Sequence, residues 1–297
     1  MKRLFYLLLF ISFLFLFYFL VKQEYIVPEI SSVWALIFSM ILLMAGFFAQ
    51  TYSWKVALDI HNHRTPLREA VVSQGLSVFA KYIPGKIWVI IGRAGYLSSS
   101  KEDLKTKSVI SLKEQLIYLW AGFLISSIPT IVYYGMQWIS IIVLLIFIGL
   151  TLFLFFPSIH NGVVGLLKKV LKSPLDIPSI DFRKSMPLIL AVSLVWILWT
   201  TGFYFFMLAF STDITTIMMF AFPLSVCFGL IAIVLPGGLG LREGIIIAYL
   251  GLVGMEIETA TTISFINRLW FVGGEVFIFL LALVIRLLKK HAPEGEN

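Results

Sequence analysis

The chain has 297 residues, of which 60% are hydrophobic and 13% are charged. Soluble domains contain about 45–50% apolar and about 25% charged residues, so the composition excludes a soluble globular protein and indicates an integral membrane protein. The formal net charge is +7. Lysine and arginine lie mainly in short segments between apolar runs, where basic residues determine membrane topology. Because this explains the positive charge, we expect no nucleic-acid partner. The single cysteine excludes an intramolecular disulfide.

Six apolar stretches are long enough to cross about 30 Å of hydrocarbon as helices. They lie at 4–21, 33–54, 108–132, 138–157, 187–210 and 261–286. The stretches are continuous rather than alternating, which predicts helices and not the strands of a barrel. No small-residue cleavage site follows the first stretch, so we expect a retained helix rather than a signal peptide.

Two further apolar regions, 70–97 and 215–254, are each interrupted by a Pro-Gly pair. The segments after the interruptions, 86–97 and 241–254, would reach only about 18 to 21 Å as helices. Both are too short to cross, so each region is predicted to be a re-entrant broken hairpin. The segment 215–235 is long enough to span, and the sequence leaves open whether it does.

The order helix, helix, broken hairpin, helix occurs twice, in 4–132 and in 138–286. The first unit begins on the cytoplasmic side and the second on the outer side, so the two units are predicted to form an inverted repeat. The predicted fold is an all-α polytopic membrane protein with six spanning helices and two re-entrant hairpins. Transporters with such repeats place the substrate near the membrane midplane, where broken helices meet.

The distribution of lysine and arginine predicts the orientation of this single transmembrane domain, 1–290. One face receives nearly all basic residues and the other receives only Lys22, which places both termini in the cytoplasm and the protein in the cytoplasmic membrane. Residues 158–186 are then a basic cytoplasmic linker, and 291–297 are a disordered tail. Five tryptophans near the proposed helix ends are expected at the interfaces: Trp34, Trp54, Trp88, Trp138 and Trp270.

A helix broken in hydrocarbon leaves backbone groups without partners unless they are buried in protein or line a watery cavity. At the second break, Gly237, Gly238 and Gly240 permit positive φ angles and close backbone approach. The helix that begins near Leu241 would direct its N–H groups at the break and could bind a phosphate or carboxylate. Tight packing of two hairpins is the alternative explanation for the glycines. The lysine and Ser/Thr of a P-loop are missing.

Charged side chains in the membrane part are the second indication of a functional site. Inserting each one at a helix centre costs about 2.5 to 3.5 kcal/mol. The basic ones are Lys81, Lys86, Arg93, Arg242 and Arg268, and the acidic ones are Glu114, Glu243 and Glu275. Arg268 and Glu275 lie two turns apart on one helix face, which favours a pair. The two excess positive charges could be neutralised by an anionic substrate. Structural ion pairs are the alternative, and snorkelling to the interface is a further one for Lys81, Lys86 and Arg93.

Several of these residues form motifs: Lys81-Tyr82-x-Pro84-Gly85, Gly92-Arg93, Pro236-Gly237-Gly238-Leu239-Gly240-Leu241-Arg242-Glu243, and Arg268. They resemble the flippase-like transmembrane region of the lysylphosphatidylglycerol synthase family, over residues from about 33 to 286. The resemblance implies translocation of a lipid headgroup. In full-length synthases this is an aminoacylated phosphatidylglycerol, and in some relatives a polyprenyl-linked carrier. The sequence contains no soluble aminoacyl-transferase domain, so lysyl transfer is not expected.

The sequence therefore predicts a protein that is not an enzyme and that translocates or binds an anionic phospholipid or a polyprenyl-phosphate-type lipid. The expected binding residues are Arg242, Arg268, Glu243, Lys81, Arg93, Gly237, Gly238, Gly240, Pro84 and Gly85, with Glu275 and Glu114 in supporting ion pairs. No cofactor or metal is expected, because no ligand set completes the His61 and His63 pair.

Two other functions stay open from the sequence. One is secondary transport of a small anion, coupled to protons through Glu243 or Glu275. The other is an accessory membrane subunit of a cell-envelope glycosyltransferase or lipid synthase, with that enzyme as the partner recruited by the basic linker.

Overall fold

The structure is a computed structural model that describes residues 29–83, 87–171, 179–232 and 235–291. The first predicted span, the first Pro-Gly pair with Lys86, part of the basic linker and nearly all of the predicted tail lie outside the described residues. Within the described ranges every regular element is a helix, as expected for an all-α membrane protein.

Ten α-helices occur in the described part of the chain. They are α1 Val33–Asp59, α2 Leu67–Ser77, α3 Ile87–Leu97, α4 Lys101–Tyr134, α5 Trp138–Phe155, α6 Pro157–Leu171, α7 Met186–Leu208, α8 Ala221–Ile231, α9 Leu241–Leu252 and α10 Ile257–His291. Three short 3-10 helices join them, at Val78–Tyr82, Thr216–Phe220 and Pro236–Gly238.

Four helices are long and apolar enough to cross a membrane: α1, α4, α7 and α10. They confirm four predicted spans, at 33–54, 108–132, 187–210 and 261–286. The predicted span at 138–157 corresponds to α5, which bends by 96° into α6 and counts as a fifth candidate only together with it. The described residues therefore contain four or five candidate spans, and the protein is a multi-pass membrane protein.

Both interrupted regions are broken as the sequence predicts. In the first, α2 and the 3-10 helix Val78–Tyr82 precede the break and α3 follows it. In the second, α8 precedes the break and α9 follows it, and the helical segment Thr216–Ile231 is shorter than a candidate span. The arms after the breaks, α3 and α9, have 11 and 12 residues. Such lengths reach about 18 Å at most.

The centre of the fold is the contact between α1 and α7, the most extensive helix contact in the described chain. Gly46 of α1 lies against the ring of Trp199, and Gly202 of α7 lies against Leu42. The indole N–H of Trp199 donates to the carbonyl of Leu43 at 3.2 Å. Small residues let helices approach closely where lipid offers no hydrophobic driving force between them. The two helices therefore pack through glycine on both sides.

The two broken regions are interlocked by the helices that follow them. The helix after the second break, α10, packs on α2 of the first region, with Gly75 against Ile278 and Ala282. In the same way α4, the helix after the first break, packs on α8 of the second region, with Gly122 against Cys227. Each broken region is thus held by the long helix of the other.

The two ends of the bundle differ in charge. At one end Lys289 of α10 binds Glu69 of α2 at 2.6 Å, and the exposed basic residues of the loops and of α6 lie there. At the other end the backbone N–H of Ser31 donates to the carbonyl of Ala209 at 2.8 Å. No lysine or arginine lies at this second end within the described ranges.

Two of the tryptophans expected at the interface are buried inside the protein, so that expectation is wrong for them. Trp54 stacks on Arg93, and Trp270 donates its indole N–H to Ser39 at 2.8 Å. Trp34 and Trp88 are exposed, in agreement with an interfacial position. The buried rings pack against polar groups inside the protein and shield them from lipid. The position of a tryptophan along the chain does not reveal such a contact.

The glycine contact between α1 and α7 predicts the effect of adding one methyl group. Gly46→Ala should lower the free energy of unfolding by about 1–3 kcal/mol, because the new Cβ atom would overlap the Trp199 ring. Gly149→Ala is the matched control, since its Cβ atom would meet open space and alanine favours a helix. The midpoint of thermal unfolding in detergent checks both. Equal midpoints would contradict the close packing.

Candidate functional site

The charged residues of the membrane part that the structure describes form two separate groups. We define the Arg93 cluster as Arg93 and Glu114 with Gln74, Ser111 and Ser53. We define the tip cluster, where the two broken regions meet, as Lys81, Tyr82, Arg242, Glu243, Arg268, Phe271 and Glu275. The structure does not bring Arg93 together with Arg242 and Arg268.

Every nitrogen of the Arg93 guanidinium has a partner. Nε donates to Ser111 Oγ at 2.6 Å, Nη2 donates to the Ser111 carbonyl at 2.9 Å, and Nη1 donates to Gln74 Oε1 at 3.1 Å. Nη1 also lies 2.5 Å from Glu114 Oε2. Ser53 donates to the other oxygen of Glu114 at 2.6 Å.

Arg93 and Glu114 are both fully buried, so Arg93 does not snorkel to the interface. The ion pair joins α3 to α4, and its hydrogen bonds add contacts to α1 and α2. A buried charge with such partners stabilises the fold that surrounds it, whereas the loss of one partner is costly. The arrangement matches the structural alternative for Arg93, because each guanidinium nitrogen already has a protein partner.

The second break turns through three glycines with left-handed backbone angles. The φ angles are 58° at Gly237, 72° at Gly238 and 81° at Gly240, as the sequence predicts. A Cβ atom at Gly237 would lie 2.8 Å from Arg268 Nη2 and from the Tyr82 ring. A Cβ atom at Gly238 would lie 2.9 Å from the backbone of Gly229. Both glycines are therefore required by backbone angle and by space.

Two side chains satisfy backbone groups that the second break exposes. Glu243 Oε2 accepts from the N–H of Gly240 at 2.7 Å, as in a capping box. Arg268 Nη1 donates to the carbonyl of Gly237 at 3.2 Å and lies 3.5 Å from Glu243 Oε1. Both residues were predicted to bind substrate. In the structure they stabilise the turn, and the N–H group of Gly240, the residue before α9, faces a carboxylate.

The first broken region contacts the second through Tyr82. Its ring packs on Gly237, and the Arg268 guanidinium lies 5.6 Å from the ring centre. The hydroxyl of Tyr82 donates to Glu275 Oε2 at 2.9 Å, and Lys81 forms an ion pair with the same carboxylate. The two broken regions therefore meet just before the first Pro-Gly pair, whose own residues lie outside the described ranges.

The predicted pair between Arg268 and Glu275 is not formed, although the two residues share one helix. Arg268 is engaged by Gly237 and Glu243 of the second region. Glu275, which is completely buried, is engaged by Lys81 of the first region. Spacing along one helix does not determine a partner when a neighbouring helix supplies a closer one.

Arg242 differs from the other buried cations because part of its guanidinium is open. The residue is only 7% exposed, and no residue in the described ranges accepts a hydrogen bond from its Nε and Nη2 atoms. Its charge lies 4.9 Å from the centre of the Phe271 ring and 6.0 Å from that of Phe222. Cation–π contacts offset part of the desolvation cost. They do not satisfy the N–H donors, which an anion or water could do.

The tip cluster has an excess of positive charge. Among the residues that the structure describes, Lys81, Arg242 and Arg268 face two carboxylates, Glu243 and Glu275, so three cations are set against two anions. Phe271 lies between them, with Lys81 5.0 Å from its ring centre. Sequence reasoning missed Phe271. A row of positions spaced by four on α10 would have identified it: Asn267, Phe271 and Glu275. Asn267 Oδ1 is likewise buried, and no residue in the described part of the chain donates a hydrogen bond to it.

Comparison with known protein families gives one match to most of the chain. The family model described as the lysylphosphatidylglycerol synthase TM region matches residues 3–287. No individual curated protein matches the chain. The match covers both broken regions and every residue of the tip cluster.

The Arg93 cluster predicts a large difference between two ways of removing its charge. Arg93→Met should lower the free energy of unfolding by about 3–5 kcal/mol, because Glu114 is left buried and unpaired. Arg93→Met combined with Glu114→Leu should recover much of that loss. Thermal unfolding of the purified protein in detergent measures both.

Lys289→Met is the control for removing a cation, because its pair with Glu69 is largely exposed. Its effect should stay below about 1 kcal/mol. If Arg93→Met were no more destabilising than this control, the assignment of Arg93 to a structural pair would be wrong.

Proposed function

Because the chain belongs to the family of the lysylphosphatidylglycerol synthase transmembrane region, we propose that it is a flippase-like transporter that moves an anionic lipid across the cytoplasmic membrane. The lipid is an anionic phospholipid or a polyprenyl-phosphate-type carrier. Its phosphate binds the tip cluster, and its apolar tails stay in the bilayer. The protein performs no covalent chemistry on the lipid.

The observation that carries this proposal is the open guanidinium of Arg242. A buried arginine without a carboxylate is costly, and the cost is offset when a phosphate accepts from its N–H groups in a bidentate arrangement. The excess positive charge of the tip cluster supports an anionic ligand over a neutral or cationic one. Its position where two helix breaks meet supports transport, because transporters bind substrate at such breaks.

We propose further that the chain is an inverted repeat with six spans and two re-entrant hairpins. The reciprocal packing supports it: α10 lies on α2 as α4 lies on α8. The pairs Gly46 with Trp199 and Gly202 with Leu42 are also reciprocal across the contact of α1 and α7. Concentration of basic residues at one end of the bundle supports cytoplasmic termini.

Glu275 then acts as an internal competitor of the lipid. It binds Lys81 and Tyr82, which closes the contact between the two broken regions while no phosphate is present. A phosphate that enters beside Arg242 attracts Lys81 away from this carboxylate, and the contact can open. No nucleotide-binding motif is present, so net movement follows a gradient or the consumption of lipid by an envelope-biosynthesis enzyme on one side.

The first test of this function removes the open cation. Arg242→Gln should lower the binding of phosphatidylglycerol by about tenfold or more, since charge-assisted hydrogen bonds contribute about 1.5–3 kcal/mol each. Native mass spectrometry of the purified protein measures the bound lipid. The rate at which a fluorescent phosphatidylglycerol becomes accessible in proteoliposomes should fall as well.

Lys289→Gln is the control, because it removes a cation far from the tip cluster. Equal lipid binding and equal rates for Arg242→Gln and this control would refute the proposed site. If uptake of soluble phosphate into the same proteoliposomes depended on Arg242 while lipid movement did not, the protein would be a transporter of small anions instead.

The second test removes the competing carboxylate. Glu275→Gln should increase the amount of anionic lipid that remains bound after purification, because Lys81 is freed and the cluster gains positive charge. The same mass-spectrometric measurement compares it with Arg242→Gln, which should change binding in the opposite direction. A decrease in both variants would show that Glu275 does not compete with the lipid.

A further inference from the structure

The helix α6 leaves the bundle almost at a right angle. It follows α5 after a bend of 96° at the start of Pro157–Leu171. With 18 residues, α5 is about 27 Å long and by itself nearly crosses the hydrocarbon layer. With α5 taken as the spanning part of this bent pair, α6 at 96° to it runs close to the membrane plane. The bend lies at the end of the bundle where the basic residues are concentrated.

The described residues of α6 form three distinct faces. One face packs on α5: His160 and Val164 are buried, and the His160 ring stacks on Phe153. The second is an exposed apolar row of Ile159, Val163 and Leu166. A helix with an apolar row and a separate polar face is typical of proteins that lie in the membrane interface.

The third face is polar and basic. It contains Ser158, Asn161, Lys168 and Lys169, which are exposed. Gly162 and Gly165 leave this face open, because a Cβ atom at either position would meet no other atom within 4 Å. The polar face and the apolar row are adjacent, so a membrane surface can contact the apolar row while the lysines reach its headgroups.

The segment 180–184 returns to the end of α5 and carries two more basic residues. The backbone N–H of Ile180 donates to the Leu154 carbonyl at 3.2 Å, and the ring of Phe182 packs edge-on against Phe155. Arg183 and Lys184 follow directly and are exposed. The end of α5 is therefore close both to α6 and to this second basic pair.

We infer that α6 is an anionic-lipid-binding helix that lies on the membrane surface, separate from the tip cluster. The apolar row inserts at the boundary of headgroups and acyl chains, and Lys168 and Lys169 bind anionic headgroups from the same leaflet. Each basic residue near such a surface contributes about 1 kcal/mol of attraction. The function of this helix is to enrich anionic lipid beside the protein, whether or not the protein translocates it.

The depth of α6 can be measured with spin labels on the full-length protein in liposomes, after Cys227, which is buried, is replaced by serine. A label at Val163 should be accessible to oxygen and shielded from a water-soluble nickel chelate. A label at Asn161 should show the opposite pattern. A label at Leu145, on the exposed face of α5, is the control for a lipid contact.

The charge is tested by lipid-dependent quenching of a fluorophore at Ser158. In equimolar mixtures, brominated phosphatidylglycerol should quench it more strongly than brominated phosphatidylcholine. Lys168→Glu with Lys169→Glu should reduce this preference by at least roughly fivefold for each lysine lost, because each change also adds a negative charge. Lys101→Glu with Lys105→Glu is the matched control, because these exposed lysines lie at the same end on α4, and it should leave the preference unchanged.

Three results would overturn the inference. A Val163 label that is accessible to the nickel chelate would show a helix in water. A Val163 label shielded from both oxygen and the chelate would show that protein covers the apolar row. An unchanged lipid preference in the Lys168 and Lys169 double variant would show that these residues do not bind anionic headgroups.

Discussion

A helix that breaks inside a membrane protein must find new partners for the backbone groups it releases, and the tip cluster is arranged around this requirement. Arg268 donates to the carbonyl of Gly237, and Glu243 accepts from the N–H of Gly240. Arg268, used in this way, does not pair with Glu275. That carboxylate instead binds Lys81 of the other broken region, and Arg242 remains without a carboxylate of its own. The open cation is therefore a consequence of how the break is stabilised.

The two halves of the chain use similar residues for different purposes. In each half, an ion pair joins the arm after the break to the next helix: Arg93 with Glu114 in the first and Glu243 with Arg268 in the second. The signs are exchanged between the halves. The first pair is saturated by hydrogen bonds and is a scaffold. The second half has one further cation, Arg242, and the proposed anion site rests on this difference.

Much of the fold follows from the sequence because membrane helices are constrained by hydrocarbon thickness. Four predicted spans are helices of sufficient length, and both helix breaks occur where proline and glycine interrupt the apolar runs. The sequence did not show that α5 turns by 96° into α6. It also misplaced Trp54 and Trp270. Apolarity along a chain measures the tendency to enter the membrane and cannot distinguish a lipid-facing ring from one that covers a buried charge.

For the site, the sequence by itself determined which residues are unusual. These are the charged residues within apolar runs and the glycines beside proline, because a charge or a helix break in hydrocarbon is costly unless the protein supplies partners. It also indicated that Gly237, Gly238 and Gly240 permit positive φ angles, and the structure shows that all three adopt them. Only the tertiary structure decided the partners. It assigned Glu275 to Lys81, separated Arg93 from the tip cluster, and left two nitrogens of Arg242 unpaired. The physical reason is that pairing depends on distances between helices that are far apart in the chain.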